Sequence, residues 1–215
     1  MANMIDELNI LSQKEEFVRR AIPFRDYFKP MDINKEQKER RVRAAERIAE
    51  VFYIALGILD TGSPYGELAI AATVTYLQTA LMNAYAEITD RAADAWYSEH
   101  ALRLIEETVA ATGRHPDDPY FTSDDRADVI AENDAAAVIA YDELAEAVEN
   151  GFVFKTWHGM LDKRERKSHV AMEGTTIPID EPFDVNGSQM MMPGDDSLGA
   201  SPAEIVNCRC WLTFS

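Results

Sequence analysis

The chain has 215 residues, of which 47% are hydrophobic and 27% are charged, and its formal net charge is -17. This length and composition are typical of a folded globular protein and exclude a disordered chain. The negative charge disfavours broad binding to nucleic acid, because phosphates repel an acidic surface.

Residues 1–30 predict an N-terminal arm. We expect a short amphipathic helix over residues 5–21, which ends there because the residue before Pro23 avoids the helical region. No secretory signal is predicted, since the first seven residues are acidic and lack an apolar run. An aromatic cluster follows and could pack on the protein's own core or on a neighbouring subunit: Phe24, Tyr27 and Phe28.

Asn34 is the predicted N-cap of a long helix that ends near Leu59. The first half of this helix is highly charged and the second half is almost entirely apolar. One end is therefore expected in solvent and the other in the core. Weak contact with nucleic acid is a possible role for the charged half, although interleaved acids leave it little net positive charge.

A turn is predicted over residues 61–64, followed by a second helix that starts near Tyr65. Between Glu67 and Glu87 there are 19 residues without a charge, which approaches the length of a membrane span. Polar residues interrupt this run and neither end carries a basic anchor, so we expect a buried helix and no membrane. The helix is predicted to continue or kink through Asp90 and to end at Gly113.

Residues 114–118 are rich in turn formers and predict a boundary between a helical region, 1–118, and a C-terminal domain, 119–215. The second region opens with a helix over residues 124–150, whose first turn is acidic. Its apolar face is expected to pack against a C-terminal sheet through Val129, Ile130, Val138, Tyr141, Leu144 and Val148.

The pattern changes to short strands after Gly151. A strand is predicted over residues 152–157, and the pair Glu173-Gly174 predicts a tight turn into a second strand over 175–179. Residues 190–192 and 211–214 are two further candidates. The predicted fold is therefore α+β, with a mostly helical N-terminal two-thirds and a small irregular antiparallel domain packed on a helix.

His169, Cys208 and Cys210 are candidate metal ligands, because imidazole and thiolate groups are the donors that zinc prefers. A fourth ligand could come from His158, from Asp162 or from water. Alternatively, the cysteines are small buried residues and the histidine makes a structural hydrogen bond. The two cysteines are separated by one residue, which does not favour a disulfide.

Asp162, Arg164 and Arg209 form a second candidate group. A carboxylate facing guanidinium groups can hold a loop-rich fold together through paired hydrogen bonds. The alternative is a catalytic pair in which Asp162 orients His169 as a general base. No nucleophile motif or phosphate-binding loop accompanies these residues, so no enzyme activity is predicted.

From about residue 127 to 212, the sequence resembles the phage Mu F-type minor head proteins, a head-morphogenesis family of tailed bacteriophages and prophages. The resemblance consists of a helix that ends at Gly151 and of motifs in a fixed order, which include Asp162-x-Arg164-x-Arg166-x-x-His169 and Asn207-Cys-Arg-Cys210. The structural motif residues that it singles out are Lys155, Trp157, Asp162, Arg164, Gly174, Pro193, Asp195, Asn207 and Arg209.

The resemblance implies a non-enzymatic minor structural protein of a phage virion, made in the bacterial host cytoplasm. It further implies association with the portal or the capsid interior, in several copies, and weak contact with packaged DNA. Two other hypotheses remain open. One is a metal-dependent enzyme or toxin on the same scaffold. The other is an acidic helical adaptor, since residues 86–150 contain 17 acidic residues against four arginines and no lysine.

Overall fold

The structure is a computed structural model that describes residues 23–60, 66–92 and 94–215, with the side chains of residues 66–73 excluded. The predicted helix over residues 5–21 and the predicted turn over 61–64 lie outside these residues. Within them, no helix combines the length and the apolar character needed to cross a membrane.

Helices make up the N-terminal two-thirds of the chain, and short strands dominate the remainder, which confirms the α+β fold class. The helical part comprises α1 (Phe24–Phe28), α2 (Lys35–Asp60), α3 (Gly66–Thr89), α4 (Ala95–Arg114), a 3-10 turn (Pro119–Thr122) and α5 (Asp124–Glu149). The C-terminal part comprises β1 (Phe154–His158), α6 (Lys167–Val170), β2 (Thr176–Pro178), β3 (Phe183–Val185), β4 (Ser188–Met190), α7 (Pro202–Ile205) and β5 (Trp211–Phe214).

Side chains cap the helices where the sequence predicted their starts. The backbone N–H of Gln37 donates to Asn34 Oδ1 at 2.9 Å, and the Gln37 side chain accepts from the Asn34 N–H at 3.1 Å. This reciprocal arrangement is a capping box, and it fixes the start of α2. Ser123 caps α5 in the simpler way, by accepting from the N–H of Arg126.

The helix predicted to run through Asp90 is divided into two helices. α3 ends at Thr89, and Asp90 adopts a left-handed backbone conformation with φ of 55°. Asp94 then caps α4 by accepting a hydrogen bond from the Tyr97 N–H. Aspartate is suited to a left-handed position such as 90 and to an N-cap position such as 94, because its short carboxylate bonds readily to nearby backbone groups.

Alanine-rich faces hold the helical core together. α2 lies against α1, α3 and α5, and small residues on these faces allow the backbones to approach closely. α2 is amphipathic along most of its length, since Arg41 is buried in the charged half while Ile54 is exposed in the apolar half. The buried residues that α2 contributes to this core include Ala44, Ala45, Ile48, Phe52 and Leu56.

The helix α5 joins the two parts of the molecule. Ile130 and Val138 lie in the helical core, whereas Leu144 packs into the core of the C-terminal part. The prediction that the whole apolar face meets the sheet is therefore only partly right. It is wrong for Val148, which is 54% exposed because the last turn of α5 projects beyond both cores.

The C-terminal part contains a three-stranded antiparallel sheet with the order β2-β1-β5 and a separate β3–β4 hairpin. Asn186 and Gly187 both have positive φ, as a two-residue hairpin turn requires. The sequence did not predict β3 or the short helices α6 and α7. It placed β4 two residues too late, because Met190 ends that strand instead of starting it. The strand predicted over 211–214 has the predicted bounds.

The proposed boundary at residues 118 and 119 remains a prediction. Packing nevertheless crosses it, since α5 shares the helical core with α2 and α3. Trp211 on β5 also belongs to this core, so the last strand contacts the helices directly. These contacts fix the position of the chain segment that leads into β5, where both cysteines lie.

Candidate metal centre

His169, Cys208 and Cys210 converge, as the sequence predicted. His169 Nδ1 lies 3.6 Å from Cys208 Sγ and 3.3 Å from Cys210 Sγ. One ligand atom from each of the three residues falls within 4.8 Å of the others. All three side chains are buried. The helix α6 presents the histidine, and the segment before β5 presents the two thiols from the opposite side.

A second layer of polar groups orients the imidazole. His169 Nε2 lies 3.2 Å from Glu204 Oε2, on the side of the ring away from the sulfurs. Glu204 is itself buried and accepts hydrogen bonds from Ser168 Oγ at 2.7 Å and Asn186 Nδ2 at 3.1 Å. The indole ring of Trp157 packs edge-on against the imidazole, with the ring centroids 5.7 Å apart. The histidine is thus held in one orientation by groups that do not belong to the cluster.

Glu165 supplies a further carboxylate at the cluster. Its Oε1 accepts from the Met160 N–H at 3.1 Å and lies 3.5 Å from Cys210 Sγ, while its Oε2 accepts from the Leu161 N–H. The loop after β1 folds around this carboxylate. Gly159 makes that possible, because a Cβ at this position would lie 2.0 Å from Glu165 Oε1.

The two thiols differ in acidity. The hydrogen bond from Cys210 lowers the pKa of Cys208, and the adjacent His169 reinforces this effect against the cost of burial. The same hydrogen bond, together with burial, raises the pKa of Cys210. Cys208 is therefore the sulfur that more readily carries a negative charge.

Asp162 pairs with Arg209 and not with His169. Two parallel hydrogen bonds of 2.7 and 2.8 Å join the guanidinium group to the carboxylate. The interaction with Arg209 lowers the pKa of Asp162 to about 2, although partial burial opposes it. The carboxylate also accepts from the backbone N–H of Arg164. The hypothesis of an Asp162–His169 catalytic pair is wrong for this arrangement, since the carboxylate beside His169 is Glu204.

The two residues suggested as a fourth ligand have other partners. Both ring nitrogens of His158 are engaged elsewhere, Nδ1 with Glu173 Oε1 at 3.1 Å and Nε2 with Thr213 Oγ1 at 2.9 Å. Asp162 is occupied by Arg209. Among the residues of the described structure, Glu165 is the additional carboxylate in contact with a cluster sulfur.

Other motif residues fix the loops of the C-terminal part. Lys155 is fully buried on β1, and its Nζ donates to Met191 O at 2.8 Å. Burial lowers the pKa of Lys155 to about 8 despite the neighbouring acidic group of Asp195. Asp195 is buried beside Pro193 and accepts from the backbone N–H groups of Met191 and Ser197.

Gly174 and Asn207 occupy turns with positive φ, of 73° and 52° respectively. The N–H of Gly174 donates to Trp157 O at 2.9 Å, which closes the turn onto β1. The N–H of Asn207 donates to Asn133 Oδ1 on α5 at 2.5 Å, immediately before Cys208. The helix therefore anchors the segment that carries the two thiols.

A second polar cluster, which no local sequence signal indicated, connects the helices to the C-terminal loop. His100 Nε2 on α4 lies 2.8 Å from Asp134 Oδ1 on α5, and Nδ1 lies 3.4 Å from Asp196 Oδ1. Tyr85 donates to Asp134, and Arg103 donates twice to Asp196. These five residues form the His100 cluster.

The charges of the His100 cluster stabilise one another. Burial alone would lower the pKa of His100, but the hydrogen bonds to Asp134 and Asp196 outweigh it and raise the pKa to about 9. Burial would raise the pKa of Asp196, but His100 and Arg103 hold it well below its usual value. The imidazole is therefore a cation that joins α5 to the C-terminal loop.

The fold and this site define a class of protein: a helical scaffold that carries a small antiparallel domain closed by buried polar and thiol groups. Residues 85–213 match the family described as Phage Mu protein F like protein, and the chain belongs to that family. The match starts in α3 and so extends further upstream than the resemblance found from the C-terminal motifs. No curated protein and no solved structure gives a significant match.

Proposed function

We propose that this protein is a minor structural component of a tailed-phage head that joins the particle during head morphogenesis. It contacts the portal or the inner face of the capsid through its helical half. The family match over residues 85–213 is the observation that carries this proposal. The family suggests a head-morphogenesis protein and interaction with other head proteins.

A groove between α2 and α3 supports the assignment of the contact to the helical half. The groove has a volume of about 470 Å³ and contains apolar side chains that reach solvent. Ile54 is 53% exposed and Tyr76 is 62% exposed at its margin. Arg47 lies beside them and pairs with Glu87 at 2.7 Å, which gives the apolar surface a charged rim. An apolar centre with a polar rim is typical of protein–protein contact surfaces.

Burial of the imidazole supports a structural role over the enzyme alternative. His169 is 1% exposed, and the groups packed around it include Trp157, Glu204 and both cysteines. A general base must reach the proton that it removes, either directly or through one water molecule. A ring enclosed in this way is suited to holding the fold together.

A mass-spectrometric inventory of purified particles tests the proposal. The protein is expected in intact heads at a fixed ratio to the portal protein, and particles made without its gene should show assembly defects. Its absence from purified heads would contradict the proposal. Turnover of nucleic acid, peptide or nucleotide that disappears in a His169→Ala variant would support the enzyme alternative instead.

Variants in the groove test the contact surface. Ile54→Glu combined with Tyr76→Glu is expected to reduce incorporation into particles at least about tenfold, since buried apolar anchors dominate interface energies. Leu198→Glu is the matched control, because Leu198 is 50% exposed but lies in the C-terminal part. Equal incorporation of the groove variant and the control would place the contact elsewhere.

A further inference from the structure

We infer that His169 Nδ1, Cys208 Sγ, Cys210 Sγ and the carboxylate of Glu165 form a four-ligand structural site for Zn²⁺. Three of these residues belong to the cluster described above, and the fourth is assigned here from its position. The inference rests on ligand geometry and is independent of the proposed role in phage heads.

The spacing of the donor atoms fits a tetrahedral zinc ion. Bond lengths of about 2.3 Å to sulfur and about 2.0–2.2 Å to nitrogen or oxygen set neighbouring ligand atoms about 3.6 Å apart. The two Nδ1–Sγ distances are 3.6 Å to Cys208 and 3.3 Å to Cys210. The distance from Glu165 Oε1 to Cys210 Sγ is 3.5 Å. Two edges among the three cluster donors are thus already close to the required length. Glu165 lies outside the group of donors that are all within 4.8 Å of one another, so its carboxylate reaches the fourth position by turning away from its two backbone donors.

Glu204 prepares His169 for metal binding. Glu204 Oε2 lies 3.2 Å from Nε2 without the alignment of a hydrogen bond, and its negative charge favours the proton on that nitrogen. The lone pair of Nδ1 is then directed at the two sulfurs. Metal-binding histidines are commonly oriented by a carboxylate on the second ring nitrogen. Ser168 and Asn186 bind Glu204 in turn, so the orienting group is itself fixed.

Hydrogen bonding alone satisfies this cluster poorly. Cys210 can donate its one proton to Glu165 Oε1 or to Cys208, and both sulfurs share the single nitrogen Nδ1, which in either neutral tautomer offers one lone pair or one proton. Thiols are also weak hydrogen-bond donors and acceptors. A metal ion between the donors uses every lone pair at once, and zinc is the common ion for sulfur and imidazole ligands.

The surroundings suit the charge of the loaded site. Two thiolates, one carboxylate and Zn²⁺ carry a net charge of about -1 when the imidazole is neutral. Three arginines line the adjacent crevice: Arg164, Arg166 and Arg209. Arg166 also donates to Val206 O, two residues before Cys208. This basic rim stabilises an anionic metal centre and keeps the loop that carries Glu165 near the cysteines.

The full-length protein, purified from cells grown with added zinc, tests the site without any substitution. Native mass spectrometry and elemental analysis are expected to find about one zinc per chain, as a four-ligand structural site requires. Replacement of zinc by Co²⁺ should give the visible spectrum of a tetrahedral ion with two thiolate ligands. A chelator should lower the melting temperature, because the metal binds the folded state. A metal-free protein with two unreactive, buried thiols would overturn the inference.

Substitutions separate the four ligands. Cys208→Ser or Cys210→Ser should abolish zinc retention, and Glu165→Gln should weaken zinc binding at least about tenfold. Glu181→Gln is the control, since Glu181 is an exposed carboxylate elsewhere in the same domain. Circular dichroism checks that each variant is folded. Unchanged zinc affinity in Glu165→Gln would overturn the assignment of the fourth ligand. Zinc content and incorporation into virions are measured on the same variants. A variant that loses zinc but still enters virions, or one that keeps zinc but does not enter them, shows that the zinc site and the proposed function are independent.

Discussion

The helical core and the C-terminal domain are stabilised in different ways. In the helical core, residues such as Ala45, Ile48 and Phe52 recur along one helix face and pack against other helices. In the C-terminal domain, strands of three to five residues are joined by polar contacts between distant positions. Arg209 and Asp162 are 47 residues apart in the chain, and Lys155 and Met191 are 36 apart.

This difference follows from the size of the elements. A helix of 26 residues such as α2 buries a continuous apolar face, and its backbone hydrogen bonds are all local. Short strands form few ladder hydrogen bonds, and small sheets need additional packing to be stable. Side-chain contacts across the domain supply that stability. Damage to apolar packing should therefore affect the helices most, and damage to polar contacts should affect the C-terminal domain most.

The largest effect is expected from Val138→Asp, because it places a carboxylate in the core of the helices. Val138 is fully buried, and an unpaired charge in such a site should cost about 5 kcal/mol in the free energy of unfolding. Chemical denaturation measures this change. Val148→Asp on the same helix is the control. It should change stability by less than about 0.5 kcal/mol, since Val148 is 54% exposed. Equal losses in the free energy of unfolding for both variants would show that Val138 does not lie in the core.

A smaller effect is expected from His100→Gln, which removes the cation between Asp134 and Asp196. Loss of one partner of a buried ion pair should cost about 3 kcal/mol. His115→Gln is the control, because His115 is exposed at the C-terminal end of α4.

The pH dependence of stability tests the same cluster. The pKa of His100 rises from 6.5 to about 9 on folding, so its contribution is complete below pH 6.5 and is lost as the pH rises through 9. Lys155 acts in the opposite direction above pH 8, since its pKa falls from 10.5 to about 8 on folding. The His100→Gln variant should lack the loss between pH 6.5 and 9. If the stabilities of the wild type and of the variant had the same dependence on pH over this interval, the positive charge assigned to His100 would be wrong.

The smallest effect is expected from Asp162→Asn, which breaks the paired contact with Arg209. The Asp162 side chain is 36% exposed, and ion pairs near the surface contribute up to about 1 kcal/mol. A double-mutant cycle with Arg209→Gln measures the coupling. Because the pKa of Asp162 falls from 3.8 to about 2 on folding, its contribution is present above pH 3.8 and disappears as the pH falls through 2. A coupling energy of zero at pH 7 would show that the pair does not stabilise the fold.

The helical part could be predicted closely because its signals are local. Asn34, Ser123 and Gly151 lie at helix ends where their side-chain or backbone chemistry is favoured. The apolar spacing of α5 correctly indicated that Ile130 and Leu144 are buried. The spacing alone could not show which core each residue would enter, because the first part of this face of α5 packs in the helical core and the later part packs in the C-terminal core.

The candidate metal centre was only partly predictable. His169, Cys208 and Cys210 stand out by residue type, whereas Glu165 is one of many acidic residues and depends on the path of a loop. Asp195 was singled out, but the contact that joins the helices to this loop is made by its neighbour Asp196. His100 gave no signal, because its partners lie 34 and 96 residues away.

Gly159 and Glu165 are coupled by a close approach between the backbone and a carboxylate. An alanine at position 159 would place its methyl group 2.0 Å from Glu165 Oε1, so the carboxylate would have to leave its two backbone donors. A shortened side chain at position 165 would in turn remove the restriction on position 159. The two substitutions are therefore expected to be strongly non-additive, as contacting residues generally are. Relatives that keep an acidic residue at the position of Glu165 are therefore expected to favour glycine six positions earlier.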